Sequence, residues 1–183
     1  RIDQHGRVTK AFIKLDNKVT SLAAHNDRLY TLVYQSGNQS KIFVHKLNTR
    51  ELIKSWNHPY FNYSGQRITH IGDNQLAVGD WPYEQIIIYS LTGDVIRKVP
   101  CPPSLTMTDW VCMSSCGDDS VVISDRAAGK VVRMSLKDGS LLWSSDRVTN
   151  PGGIVHHPAG YILVVNNGFN YTTVSVLDED DGK

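Results

Sequence analysis

Met134-Ser-Leu-Lys-Asp-Gly-Ser-Leu141 runs from the end of one alternating strand, through a short polar turn, into the start of another. The same signature recurs as Val44-His-Lys-Leu-Asn-Thr-Arg-Glu-Leu52, Ile88-Tyr-Ser-Leu-Thr-Gly-Asp-Val95 and Val176-Leu-Asp-Glu-Asp-Asp-Gly182, with a partial copy at Arg1-Ile-Asp-Gln-His-Gly-Arg-Val8. The equivalent positions Val8, Leu52, Val95 and Leu141 are separated by 44, 43 and 46 residues. A fixed period of this size is the mark of a repeat architecture.

Each period holds four strand-sized runs. In the third unit they are Asp109–Ser115, Ser120–Asp125, Lys130–Leu136 and Ser140–Ser144, bounded by Gly, Asp or Asn. The second run of every unit is apolar on both faces: Leu29-Tyr-Thr-Leu-Val, Leu76-Ala-Val, Val121-Val-Ile and Ile162-Leu-Val-Val. A run so short and continuously apolar implies a strand covered on both sides. No segment keeps a helical period, and the connections are too short for crossover helices. The fold class read from this is all-β: a β-propeller segment of four repeats, each of four antiparallel strands. A single domain spans 1–183, with an outer strand at about 7–13, blades at about 19–56, 67–98 and 109–145, and a partial blade at 152–177. The lone strand completes the last blade if the ring closes, which makes a four-bladed propeller. The alternative, preferred on size, is part of a six-bladed ring, since six blades need ~260 residues at this period. The remaining blades would then belong to a parent chain, as the absence of a start methionine suggests.

Composition narrows the function classes. The chain has 183 residues, 40% hydrophobic and 20% charged, with a formal charge of +1. That balance excludes a globally basic nucleic-acid surface, and no apolar run is long enough for a membrane-spanning helix. Cys101, Cys112 and Cys116 are odd in number, so at least one thiol is unpaired. Cys112 and Cys116 on one strand would lie ~13 Å apart, beyond the roughly 7 Å that a disulfide spans. Free thiols point to a cytoplasmic protein. The three sequons at Asn38, Asn62 and Asn170 leave an extracellular one open.

The loops between second and third strands share one face with those between blades. On that face fall His58, Tyr60, Phe61, Tyr63, Trp81, Tyr83, Phe169 and Tyr171, with Arg126 and Arg147 beside them. Aromatics and arginine dominate binding hot spots, so these ten are the candidate contact residues. The plain alternative is that Tyr and Trp fill gaps between blades. Charges on the same loops nearly cancel, which disfavours phosphate recognition, although single-stranded RNA stacked on aromatics is a further alternative.

Asp80, Asp125 and Asn166 recur at the end of the second strand. They are expected to fix the loops by bonding backbone amides, at a cost on the order of 1 kcal/mol for Asp125→Ala. A ring of metal ligands is the alternative. His156 and His157 point to opposite faces of a strand and cannot share an ion. Asp178–Gly182 is similar to a calcium loop but lacks its spacing and distal Glu. Trp56 and Trp143, on outer strands, are expected to pack on the next blade. No catalytic motif is present, so no cofactor, metal or enzymatic activity is expected.

Asn150-Pro-Gly-Gly-Ile-Val-His-His-Pro-Ala-Gly-Tyr-Ile-Leu-Val-Val-Asn166 resembles the Pro-x-Gly-Ile and Gly-x-(Ile/Leu)-x-Val-x-Asp pattern of NHL-repeat propellers, known from the C-terminal domains of tripartite-motif proteins. Leu76-Ala-Val-Gly-Asp80 and Val121-Val-Ile-Ser-Asp125 match its second half; blade one lacks the Asp. The resemblance implies a six-bladed scaffold that binds protein or RNA through one face, with any ligase chemistry upstream. Leu136-Lys-Asp-Gly-Ser-Leu-Leu-Trp143 is similar to a segment of quinoprotein-like propellers, and a metal-dependent lactonase-like propeller is the third class considered. The expectation carried forward is a non-catalytic module that binds a protein partner.

Overall fold

The four apolar second runs form the second strand of four sheets, buried on consecutive residues in the first three and on alternate residues in the fourth, and the rest of each sheet follows from them. The computed structural model describes residues 17–35, 39–58, 67–72, 74–106, 111–168 and 172–183. The first blade holds β1 (Val19–His25), β2 (Arg28–Gln35), β3 (Gln39–Lys46) and β4 (Leu52–His58). In the second are β5 (Ile68–Ile71), β6 (Gln75–Asp80), β7 (Gln85–Ser90) and β8 (Val95–Pro100). The third comprises β9 (Val111–Ser115), β10 (Ser120–Asp125), β11 (Lys130–Ser135) and β12 (Leu141–Ser145). The fourth has β13 (Pro151–His157), β14 (Tyr161–Asn167) and β15 (Thr172–Asp178). Within each sheet the strands lie in chain order and pair antiparallel. The outer strand expected at 7–13 lies outside the described residues.

Inner strands of successive blades pack side by side, β1 on β5, β5 on β9 and β9 on β13. The described residues build an all-β, four-bladed propeller.

Alternation along the inner strands gives every blade a forward face and a rear face. Tyr30, Leu32, Ile42 and Val44 of the first blade meet Leu76, Val78, Ile87 and Tyr89 of the second. Ala77, Ile86 and Ile88 meet Val121, Ile123, Val132 and Met134 of the third. Val122 and Val131 meet Ile162, Val164 and Leu177 of the fourth. Each fully buried Val, Leu or Ile here contributes about 1.5–3 kcal/mol, which is why the second strands needed two apolar faces. Leu163, Val165, Val174 and Val176 hold the equivalent forward positions of the fourth blade by strand register. There Val174 and Val176 are 60% and 58% exposed.

The polar turns that defined the repeat close the third and fourth strands and also latch blades together. Gly139 adopts φ 78 and lies so close to Pro100 of the preceding blade that a Cβ would sit 2.1 Å from the Pro100 carbonyl oxygen. Trp56 lies against Gly93, and Trp143 against Gly182, each ring on the turn of the next blade, as expected of them. An irregularity in register recurs at the start of β4, β8 and β12, between Val44 and His45, Ile88 and Tyr89, and Arg133 and Met134. A bulge at this point bends the outer strand, a device that blunts a sheet edge against pairing with other chains.

Candidate functional site

Antiparallel order places the second-to-third-strand loops and the connections between blades at the same end of each sheet, and the expected contact residues divide there. Trp81 is buried, its indole lying over Gly79, where a Cβ would come within 2.2 Å of the ring. It fills the space left by that glycine at the interface of the second and third blades. His58 is 1% exposed and its Nδ1 lies 2.9 Å from the Tyr89 hydroxyl of the next blade. Burial lowers the His58 pKa to about 4, a hydrogen bond with the Gly79 backbone opposing the shift, and burial also raises that of Tyr89. Neutral imidazole therefore faces neutral phenol. Both residues are interior in this structure, the gap-filling alternative.

Tyr83 differs. It closes a 3-10 turn over Trp81–Tyr83, ends on Glu84 in the left-handed region (φ 51), and is 51% exposed. The Glu84 N–H donates to the Trp81 carbonyl at 3.0 Å, so the buried indole anchors the turn that presents the phenol. Arg126 is half-buried at the loop after β10, and Arg147 is exposed between the third and fourth blades. Tyr60, Phe61, Tyr63, Phe169 and Tyr171 lie outside the described residues.

Asp80, Asp125 and Asn166 occupy one repeat position yet bond differently. Asp125 is fully buried; its Oδ2 accepts from the Thr106 N–H at 2.7 Å and its Oδ1 from the Ala128 N–H at 2.9 Å. The Thr106 hydroxyl donates to the same carboxylate at 2.9 Å. One side chain thus ties its own loop to the connection from the preceding blade. Asp80 accepts from Gln85 Nε2 at 2.6 Å, and burial raises its pKa, the Gln85 hydrogen bond and the Lys98 charge opposing. Asn166 donates to Ser175 Oγ at 2.6 Å. The three serve loops and strands separately, and neither Asp80 nor Asp125 belongs to the set of donors that converges among the described residues.

Cys101, Cys112 and Cys116 are free thiols. Burial pushes the Cys101 thiol up to about 12, which leaves no thiolate for nucleophilic chemistry in the shallow cleft it lines with Pro100–Ser104. Among the described residues, one set of potential metal donors does converge: Cys116, His156 and Glu179, with one ligand atom from each within 4.8 Å of the others. Sequence reasoning set His156 aside with His157, and nothing in the spacing of the three points to their meeting. Two come from turns and one from an inner strand, in two blades.

No protein-family model matches the chain, and no curated protein matches it. Solved structures do. The computationally designed Ika4 protein aligns over 94% of this chain and 98% of its own, at 14% identity and a TM-score of 0.62. Glutaminyl cyclase of Myxococcus xanthus aligns over 86% and 73%, at 15% identity and 0.55. The WD40 domain of Neurospora crassa Pan2 aligns over 89% of this chain and 47% of its own, at 13% identity and 0.63. At such identities the likeness defines the class, a β-propeller, and nothing narrower.

Proposed function

We propose that this chain is a non-catalytic interaction module whose partner is a protein. The observation that supports it best is the forward face of the fourth blade. Val155, Leu163 and Val176 stand in register across β13, β14 and β15, with Val165 and Val174 in the adjoining row. On the other three blades the equivalent residues are covered by a sheet of the next blade, whereas Val155, Val174 and Val176 are exposed. The occupant that this surface suits is an apolar sheet face, that of a partner protein or of a further blade of a parent chain, and contiguous exposed apolar surface of this kind marks protein contacts. Thr31, Val33 and His45, on the rear of the first blade, are already buried. Tyr83, Arg126 and Arg147 lie on the loops at one end of the second and third blades, Tyr83 and Arg147 exposed, and are proposed as further contact residues. The NHL resemblance is in keeping with such a scaffold, and the nearly balanced loop charges favour protein over RNA.

Photo-crosslinking tests this. A photoreactive residue at position 176 or 83, used in extract from the source cells, should form a discrete adduct with a second polypeptide, diminished by Val174→Lys. Adducts with nucleic acid, or equal yields from a control position at Lys137, would overturn the reading.

A further inference from the structure

We propose that Cys116, His156 and Glu179 form a zinc site that joins the third blade to the fourth, at the end opposite the aromatic loops. Cys116 lies in the turn between β9 and β10, His156 on β13, and Glu179 in the turn after β15. Their donor atoms fall within 4.8 Å of one another, and His156 Nε2 already touches Glu179 Oε2. Zinc takes sulfur at about 2.3 Å and nitrogen or oxygen at about 2.0–2.2 Å, so tetrahedral ligand atoms stand about 3.3–3.8 Å apart. Side-chain rotation of about an ångström reaches that spacing.

The backbone behind each ligand is held. The Cys116 N–H donates to the Ser120 carbonyl at 2.9 Å, and the His156 N–H to Ser114 Oγ at 3.2 Å, across the blade interface. The Glu179 carbonyl oxygen accepts from Arg133 Nη1 at 2.6 Å and Trp143 Nε1 at 2.8 Å. The Glu179 side chain is thus not what fixes its turn. A mixed thiolate, imidazole and carboxylate set suits zinc over magnesium or calcium, which prefer oxygen alone. Arg133 is the neighbouring cation. Zinc with one thiolate, one carboxylate and a neutral imidazole sums to zero charge, so the loaded site adds no net charge beside the guanidinium. Binding releases the thiol proton to solvent, and a second proton only where His156 starts as imidazolium; a neutral His156 keeps its ring proton on Nδ1 and offers Nε2 to the metal. Cys116 is buried, but the His156 and Glu179 side chains are 17% and 32% exposed, and a cleft of about 340 Å³ borders Cys116 and Arg133. A fourth coordination position is left for water.

The test is a cobalt titration of the reduced, chelator-treated protein, since cobalt reports thiolate ligation by a near-ultraviolet charge-transfer band. One equivalent should saturate the band and zinc should abolish it. Cys116→Ser should eliminate the band. Glu179→Ala, which keeps the carbonyl contacts and so the fold, should weaken binding more than about tenfold, the loss that even an outer hydrogen-bond partner brings. Zinc should raise the unfolding temperature of the wild-type protein and not that of Glu179→Ala. No saturable band below about 100 µM cobalt, or a band of unchanged affinity in Glu179→Ala, would overturn the proposal.

Discussion

Lowering the pH from 7 to 5 should destabilise this propeller, and His58 supplies a calculable part of the loss. The ring is 1% exposed and its pKa is lowered from 6.5 to about 4 by burial. In the unfolded chain the same ring takes a proton once the pH falls below about 6.5. Folding therefore holds it neutral, and stability is complete above 6.5 and declines as the pH falls toward 4, because the unfolded state binds the extra proton. A difference of this size is worth about 3 kcal/mol when fully expressed, and about 2 kcal/mol at pH 5. Urea unfolding at pH 7 and pH 5 reads it directly, as a fall in midpoint of about 1 M for a slope near 2 kcal/mol per molar. The variant His58→Gln keeps a polar group for the Tyr89 hydroxyl and removes the titration. It should lose much less stability between the two pH values than the wild-type protein. His45, whose pKa burial also lowers, accounts for some of the remainder. An unchanged loss in His58→Gln would refute the assignment and the burial of His58 with it.

Two further outcomes follow from the latches between blades. Gly139→Ala and Gly129→Ala both place a Cβ at positive φ, which costs about 1–2 kcal/mol, but only at Gly139 would it meet a backbone oxygen, at 2.1 Å, while Gly129 has nothing within 4 Å. Gly139→Ala should therefore lose at least about 2 kcal/mol more in urea unfolding; equal losses would remove the latch. Asp125→Ala deletes the acceptor of the bonds from Thr106 and Ala128 and should cost about 2–3 kcal/mol, more than one loop bond is worth. Bound metal, measured by elemental analysis, should be the same in that variant as in the wild-type protein, and a fall would point to ligation by Asp125.

The blade was legible because its signals are local. A strand reveals itself by alternation over a few residues, as Lys130–Ser135 does, and the turns around Gly93, Gly139 and Gly182 recur because the backbone there takes a positive φ. Even the packing of Trp56 and Trp143 on the turn of the next blade followed from their places on outer strands. The candidate contact residues were less legible. Trp81 and Tyr83 are two positions apart in one loop, yet one ring is interior and the other half in water. The difference arises from Gly79, whose missing side chain makes a space that only the facing blade defines.

The sequence by itself determined the repeat, the strand content and the two-sided burial of the second strands in the first three blades, since each depends on neighbours a few residues away. Tertiary structure alone decided that Trp81 is interior while Tyr83 is exposed, and that Cys116, His156 and Glu179 meet. Those outcomes depend on how one sheet is set against the next, and residues 40 and 63 positions from Cys116 reach it only through that docking.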